Sequence, residues 1–511
     1  MLSRLLLFCA LLPALACQPR EPSPTLAFAN RGGELRVLIP SDPHGFDPNA
    51  SRDEIAQTLA PSLYSALLTL DPDGRLLPDL AESWDMADGG RTYTFHLREG
   101  VRWHDGQPFG SGDVRFTLER LRTQQSISHE AVRRISRIET PDDRTVVLRL
   151  AEPWAPFLAI LAWGGTFILP RHLAADETAL QSRPVGTGPF RFREWVKGES
   201  IELEASPRFH RPGPFVDRIL FLMAADSSQA AERLLRGEAD YSVTRVPLDL
   251  VPRLERAPGL RVLTGPTHAR IFCAFNLRRP PLGDLRVREA INRTIDRGDL
   301  VRRALFGYGA PGLGFYTPWV TWAYNGDAHV PPLDRERARA LLVEAGIPEA
   351  NSELELVVPT LAPLEEIGAL LRDHLAEVGL RVRLTRLPFN DWIDRVIRRQ
   401  DFDLTLLAGS HGPDPENLSF RFGSRTANPN LGYASPELDA ALAAGAATVN
   451  LEERARAYFR AQEILARDLP IAPLAEAVHV SVFRRNVSGL PHAEARGLIS
   501  VNDFSLVRVR P

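Results

Sequence analysis

Two hydrophobic periods alternate along this chain from one end to the other, which restricts it to folds in which helices pack against sheets. Strand-like runs occur at Leu35 to Ile39, Thr92 to Leu97, Thr145 to Leu150, Ile219 to Met223, Leu380 to Leu384 and Phe402 to Leu407. In the fifth of these, Leu380, Val382 and Leu384 fall on one side and Arg381 and Arg383 on the other, as in a half-buried strand. Helical stripes lie between such runs. Asp334 is placed to cap a helix whose apolar face is Ala338, Leu341, Leu342 and Ala345, with Gly346 as its stop. Residues 364–378 set Ile367, Leu370, Leu371 and Leu375 on one stripe before Gly379, and Asn450 with Glu453 reads as a capping box for a helix through Leu465. The fold class is therefore α/β. A length of 511 residues exceeds what one core usually organises, so two or three lobes are expected.

The N-terminus speaks to the compartment. Arg4 precedes an apolar run from Leu5 to Leu12, and the stretch closes on Ala14-Leu15-Ala16-Cys17. A positive start, a short apolar core and small residues before a break point are the parts of an export signal. The run is shorter than the roughly 20 apolar residues of a permanent spanning helix. The closing residues resemble a bacterial lipobox, in which Cys17 is lipidated and becomes the mature N-terminus. Ala14 stands where that motif prefers Leu, and the plainer alternative is an ordinary cleavage site that happens to precede a cysteine. The polar, proline-rich residues 18–32 then read as a tether reaching on the order of 20 Å. Beyond Cys9 and Cys17 only Cys273 remains, so no disulfide can form within the mature chain. A formal net charge of -3, with no basic run, argues against a nucleic-acid partner.

Several local patterns look like chemistry and have simpler readings. Trp103-His104-Asp105-Gly106 is a strand end followed by an Asp-Gly turn, Ser111-Gly112-Asp113 is a helix N-cap, and Gly186-Thr187-Gly188-Pro189 is a turn into a strand starting at Phe190. The last lacks the lysine and spacing of a phosphate loop, and no zinc-protease, redox-dithiol, nucleophile-elbow or dinucleotide motif occurs. No enzyme, cofactor or metal site is expected.

Taken together, the same segments resemble one family. Asp71-Pro72-Asp73-Gly74 leads to Pro78-Asp79-Leu80-Ala81-Glu82-Ser83-Trp84, then to Thr92 through Gly100, Val101-Arg102-Trp103-His104-Asp105-Gly106 and Gly112-Asp113-Val114. Val185 to Phe190, Arg236 to Asp240, Phe275-Asn276-Leu277, Val287 to Ile291, Leu341 to Gly346, Asp414-Pro415-Glu416-Asn417 and Pro470 to Leu474 follow in order. The succession is similar to the family 5 extracellular solute-binding proteins, the oligopeptide, dipeptide and nickel receptors of ABC importers. The resemblance implies a two-lobed, type II periplasmic-binding-protein-like fold of the large cluster, with an extra inserted subdomain. Residues 33–64, 186–268 and 481–511 would form lobe I, residues 65–185 the inserted subdomain and residues 269–480 lobe II. It implies a monomeric receptor in the cell envelope, held to the membrane by its N-terminal lipid, with an ABC permease and ATPase as partners. A ligand-binding sensor, or a carrier of a sugar or metal chelate, remains an alternative.

For the ligand, the resemblance is specific about what is missing. The family's peptide binders hold the ligand ammonium on an Asp shortly before the Asp-Pro pair. Counted back from Asp414, that position is His411, and the aromatic three residues earlier is Ala408. The dipeptide binders hold the carboxylate on an Arg and a Tyr, which fall on Val358 and Thr360 when counted back from Gly379. An enclosed ammonium without an anion is costly, so a small polar solute other than a free dipeptide is expected. Asp414 or Glu416 would supply charge for a longer peptide. His411, Asp414, Asn276, Trp163 and Trp392 are the candidate ligand-binding residues.

Overall fold

The alternating periods resolve into one large mixed sheet and a smaller antiparallel one. A computed structural model describes residues 32–510 apart from 51–52, 72–73, 124–128, 163–165, 348–352, 411–413, 426–430 and 491–502. Across the large sheet the strands run Arg381–Leu387, Glu353–Pro359, Leu404–Ser410, Leu260–Phe275, Ile471–Arg484, Tyr241–Ser242, Glu34–Ile39, Arg218–Met223, Ser200–Ala205 and Phe190–Val196. A short eleventh strand, Gly309–Pro311, pairs beside Ile471–Arg484.

The two long central strands, Leu260–Phe275 and Ile471–Arg484, pair antiparallel and pass from one set of cores to another. Leu260 and Val482 pack with Leu38, Ala231 and Leu254. At the other ends, Cys273, Phe275, Ala472 and Leu474 pack with Ile291, Leu356 and Leu371. Their register breaks between Pro266 and Arg270, and a break of this kind bends a ladder. Cys273 is fully buried, and burial pushes its thiol well above the ordinary range.

The smaller sheet has four strands in the order Ala81–Ala87, Thr92–Leu97, Thr145–Leu150, Ile135–Asp142. It has its own core, built from Tyr93, Phe95, Trp103, Val114, Leu118, Val146 and Leu148. Asp79, from the quoted sequence block, ties this unit to the rest. Its buried carboxylate accepts the Ala66 N–H, hydrogen-bonds His210 Nε2 at 2.8 Å and forms an ion pair with Arg211, whose Nε stands 3.0 Å away. Burial alone would raise its pKa, but Arg211 and His210 outweigh that and hold it below the usual carboxylate value.

Thr92–Leu97 and Thr145–Leu150 have the expected bounds. The strands expected from Leu380 and Phe402 begin later, at Arg381 and Leu404; the Leu380 N–H is held by the Leu375 carbonyl of the preceding helix end at 3.1 Å, and the Phe402 carbonyl accepts the Asn276 amide. Asp334 caps its helix by accepting the Arg337 N–H at 2.9 Å, and Gly346 follows with φ +72. Two caps differ from expectation. Asn450 accepts the N–H groups of Glu452 and Glu453, but Thr448 completes the box: its hydroxyl accepts the Asn450 N–H at 3.2 Å and donates to Glu453 at 2.6 Å. That helix runs on to Asp468. Ser111 is the first helical residue and not the cap; Gly110 takes that place, its N–H held by the Asp113 carboxylate at 3.0 Å.

The turn at residues 186–189 is clamped from two sides. His104 Nδ1 accepts the Gly186 N–H at 3.1 Å and its Nε2 donates to the Gly188 carbonyl at 3.0 Å. Desolvation pushes this imidazole down to about 4, so it is a neutral pin. From the other side, a Cβ on Gly186 would stand 1.8 Å from the Leu63 carbonyl oxygen. Gly186→Ala is therefore expected to displace backbone and to cost about 2–3 kcal/mol of stability. Urea unfolding measures this, and a loss under about 0.5 kcal/mol would mean that the turn gives way freely.

Candidate functional site

The register break in the central strands is followed at once by a buried ion pair. Arg270 stands opposite Glu476, and its Nε donates to Glu476 Oε1 at 2.8 Å while its Nη2 donates to the Gly314 carbonyl at 2.6 Å. Both side chains are 4% exposed. Burial raises the Glu476 pKa against the opposing pull of Arg270, and its Oε2 is shielded with no hydrogen-bond partner.

On its other side Arg270 pairs with Gly409 of the strand Leu404–Ser410. Directly opposed residues of an antiparallel pair project from the same face. A Cβ at Gly409 would meet no described atom within 4 Å, so this face carries open space beside Arg270. Phe272, two residues along and on the same face by alternation, lies under the guanidinium of Arg421 at 4.4 Å. Arg421 belongs to the helix Asn417–Phe422, which follows directly from Asp414-Pro415-Glu416.

Asp414 begins a second buried group. Arg454 Nη2 donates to its two oxygens at 2.7 and 2.9 Å, and Arg454 Nε donates to the Gly445 carbonyl at 3.0 Å. The guanidinium also lies 5.1 Å over Trp322 and 5.6 Å from the Tyr458 ring. The Tyr458 hydroxyl in turn donates to Glu416 Oε2 at 3.3 Å. Burial, and then the neighbouring Asp414 charge, push Glu416 up to about 7. Tyr316 links the two groups electrostatically, since it feels Asp414, Arg454 and Arg270, and its buried hydroxyl has no hydrogen-bond partner.

The four-stranded unit closes over this band. Ala155 N–H donates to the Ala446 carbonyl at 2.8 Å, Arg134 (stacked on Trp154 at 4.4 Å) is near enough to act on Glu416, and Tyr93 feels Arg454. Among the described residues, no group of three or more His, Cys, Asp or Glu side chains could hold a metal.

Of the residues singled out from the sequence, Asp414 lies within this band. Asn276 and Trp392 lie outside it. The Asn276 amide donates to the Gln400 and Phe402 carbonyls at 3.1 and 3.0 Å and its oxygen accepts the Arg278 N–H, so it pins backbone. Trp392 is buried among Val357, Val396 and Phe402, with its indole N–H donating to Thr405 Oγ1 at 3.0 Å. His411, Trp163 and Cys17 lie outside the described residues. Val358 is fully buried, and a Cβ on Gly368 would stand 3.1 Å from its Cγ1, so its side chain faces the core and not this band. Sequence reasoning missed Arg270, Arg421, Tyr316 and Glu476. Arg270 and Glu476 stand 206 residues apart, and no local pattern links them.

Comparison with known proteins gives a consistent result. Residues 75–430 match the model of the bacterial extracellular solute-binding proteins, family 5 middle. Over 520 residues the chain is 30% identical to di/tripeptide-binding protein 2 of Pseudomonas aeruginosa, covering 93% of this chain and 94% of the relative. It is 29% identical over 478 residues to the glutathione-binding protein GsiB of Escherichia coli O1:K1, covering 91% and 92%. Among solved structures, the ABC transporter-associated periplasmic binding protein DppA of Helicobacter pylori, in complex with the peptide STSA, superposes with a TM-score of 0.80 at 26% identity, covering 95% of this chain and 99% of that one.

Proposed function

Because this chain belongs to the family 5 bacterial extracellular solute-binding proteins, we propose that it is the receptor of an ABC importer, enclosing a short peptide or peptide-like solute and delivering it to a membrane permease and its ATPase. The observation that carries this reading is the open space at Gly409, directly opposite Arg270, on the strand face where Phe272 stacks with Arg421. Relatives that bind di- and tripeptides, glutathione or the peptide STSA support the ligand class.

The division proposed is lobe I at 33–64, 186–268 and 481–511, the inserted subdomain at 65–185 and lobe II at 269–480. The register break between Pro266 and Arg270 then serves as the hinge. Ligand that touches both lobes favours the closed form by its differential affinity, and the permease reads that form. Cys17 is proposed as the lipidated residue, and more than one acyl chain is needed for firm anchoring.

Glu416 is the proposed acceptor for a ligand ammonium, since Asp414 is engaged by Arg454. A cation set beside Glu416 would lower its pKa and favour the ionised form. The absence of an acidic residue at 411 favours peptides longer than two residues, or modified ones, with His411 as a further contact.

The test is to identify by mass spectrometry the solute that co-purifies from the native envelope, then to compare solution scattering of the emptied and reloaded protein. Compaction on reloading is expected. Equal compactness in both states would sink the trap mechanism, and micromolar binding of free dipeptides would sink the argument from the missing clamps.

A further inference from the structure

The charges beside this strand face do not balance. Arg270 is engaged by Glu476 and by the Gly314 carbonyl. Arg421 has no counterpart: among the described residues its guanidinium makes neither an ion pair nor a hydrogen bond, and its Nε is shielded from solvent. What holds it is the Phe272 ring at 4.4 Å, an arrangement that fixes the plane of the guanidinium and leaves its edge donors unanswered. Desolvation and the like charge of Arg270 push it down to about 10, a direction that marks an environment short of negative charge. Arginine does not escape this by losing its proton at physiological pH. Its five donors are arranged to receive a carboxylate in two parallel bonds.

The surroundings point to a bound group rather than to solvent. Phe272 and Arg270 project from one strand face, and the open space at Gly409 lies on that face. Tyr316, 0% exposed, has a hydroxyl without a partner two residues beyond the carbonyl that Arg270 binds. Glu476 Oε2 likewise has no partner. Among the described residues the Arg421 guanidinium, the Tyr316 hydroxyl and Glu476 Oε2 lack hydrogen-bond partners, whereas buried polar groups ordinarily have them.

We propose that Arg421 is the carboxylate clamp of this cleft, receiving the terminal carboxylate of the peptide ligand over the Phe272 ring in the space beside Gly409. The assignment rests on the peptide-receptor reading above and gives that ligand a direction, with its carboxylate toward the central strands and its ammonium toward Glu416. It also answers the loss of a carboxylate clamp at Val358 and Thr360, since the charge enters from the helix after the Asp-Pro pair and not from the strand Glu353–Pro359.

The experiment titrates the wild type, Arg421→Met and Arg421→Lys by calorimetry with alanine peptides of three to five residues, as free acids and as C-terminal amides. Wild type is expected to bind the acids about 30- to 100-fold more tightly than the amides, the range for charge-assisted bonds. Arg421→Met should lose that preference entirely, while Arg421→Lys, which keeps the charge without the fork, should retain part of it. The emptied Arg421→Met protein should melt no lower than wild type, because a partly desolvated charge without a partner has been removed. If wild type binds acids and amides alike, or Arg421→Met keeps the preference, the clamp is wrong and the receptor reading stands. A marked fall in the melting temperature of the empty variant would likewise overturn it by making Arg421 a structural residue. If no peptide binds wild type, the receptor reading falls and the clamp with it.

Discussion

Gly409→Phe is expected to weaken ligand binding by at least about 100-fold, or about 3 kcal/mol, while the protein remains folded. Gly409 lies in the strand Leu404–Ser410 with no left-handed φ to protect, so a side chain meets no backbone penalty there. A Cβ would touch no described atom within 4 Å, so a side chain starts out into open space. That volume lies on the face carrying Arg270, where the proposed cargo sits. Glycine inside a strand also weakens it, by roughly 0.5–1 kcal/mol relative to alanine. The series Gly409→Ala, Gly409→Val and Gly409→Phe should therefore lose affinity stepwise while stability holds or rises. Opposite signs in the two measurements, calorimetric affinity and urea stability, are the signature of a space kept open for a ligand. Undiminished binding by Gly409→Phe would move the site elsewhere.

That space was not visible in the sequence, for a definite reason. Periodicity tells which residues share a face, and it served well for Thr92–Leu97, Thr145–Leu150 and the helix ended by Gly346. The order of motifs also pointed correctly to the family. Neither kind of signal reports partners distant along the chain. Asp414 was noticed because it stands in a recognisable pair of residues, but its commitment to Arg454 depends on a helix that starts at Leu451. Trp392 and Asn276 were chosen for their chemistry, and in the structure Thr405 and two carbonyls claim their polar atoms, partners that no local pattern announces. Arg421 shows the converse. An arginine in a short helix looks like a solvated charge until it is seen to have no acidic partner among the described residues.

The second large effect is expected at Asp414. Its carboxylate takes two bonds from Arg454 and the N–H of Glu416 at 2.9 Å, and both charged side chains are less than a tenth exposed. Removing one partner of a buried pair leaves the other charged and desolvated, which costs about 3–5 kcal/mol. Asp414→Asn keeps the shape and the acceptor for Glu416 N–H but removes the charge, so it isolates this term. Arg454→Met should cost a similar amount. The double variant should lose clearly less than the sum, with a coupling of about 1–3 kcal/mol between residues in direct contact. There is a consequence for the ligand as well. The Asp414 charge helps to hold Glu416 at about 7, so Asp414→Asn should lower that value and favour its ionised form. Affinity for a cationic ligand end should then persist in the folded fraction even as stability drops. Stability is read by urea unfolding and affinity by calorimetry at a temperature well below the variant's midpoint. A loss smaller than about 1 kcal/mol for Asp414→Asn, the range of an exposed pair, would mean that water reaches the pair, and Glu416 would then lose its standing as the better-placed acceptor for the ligand.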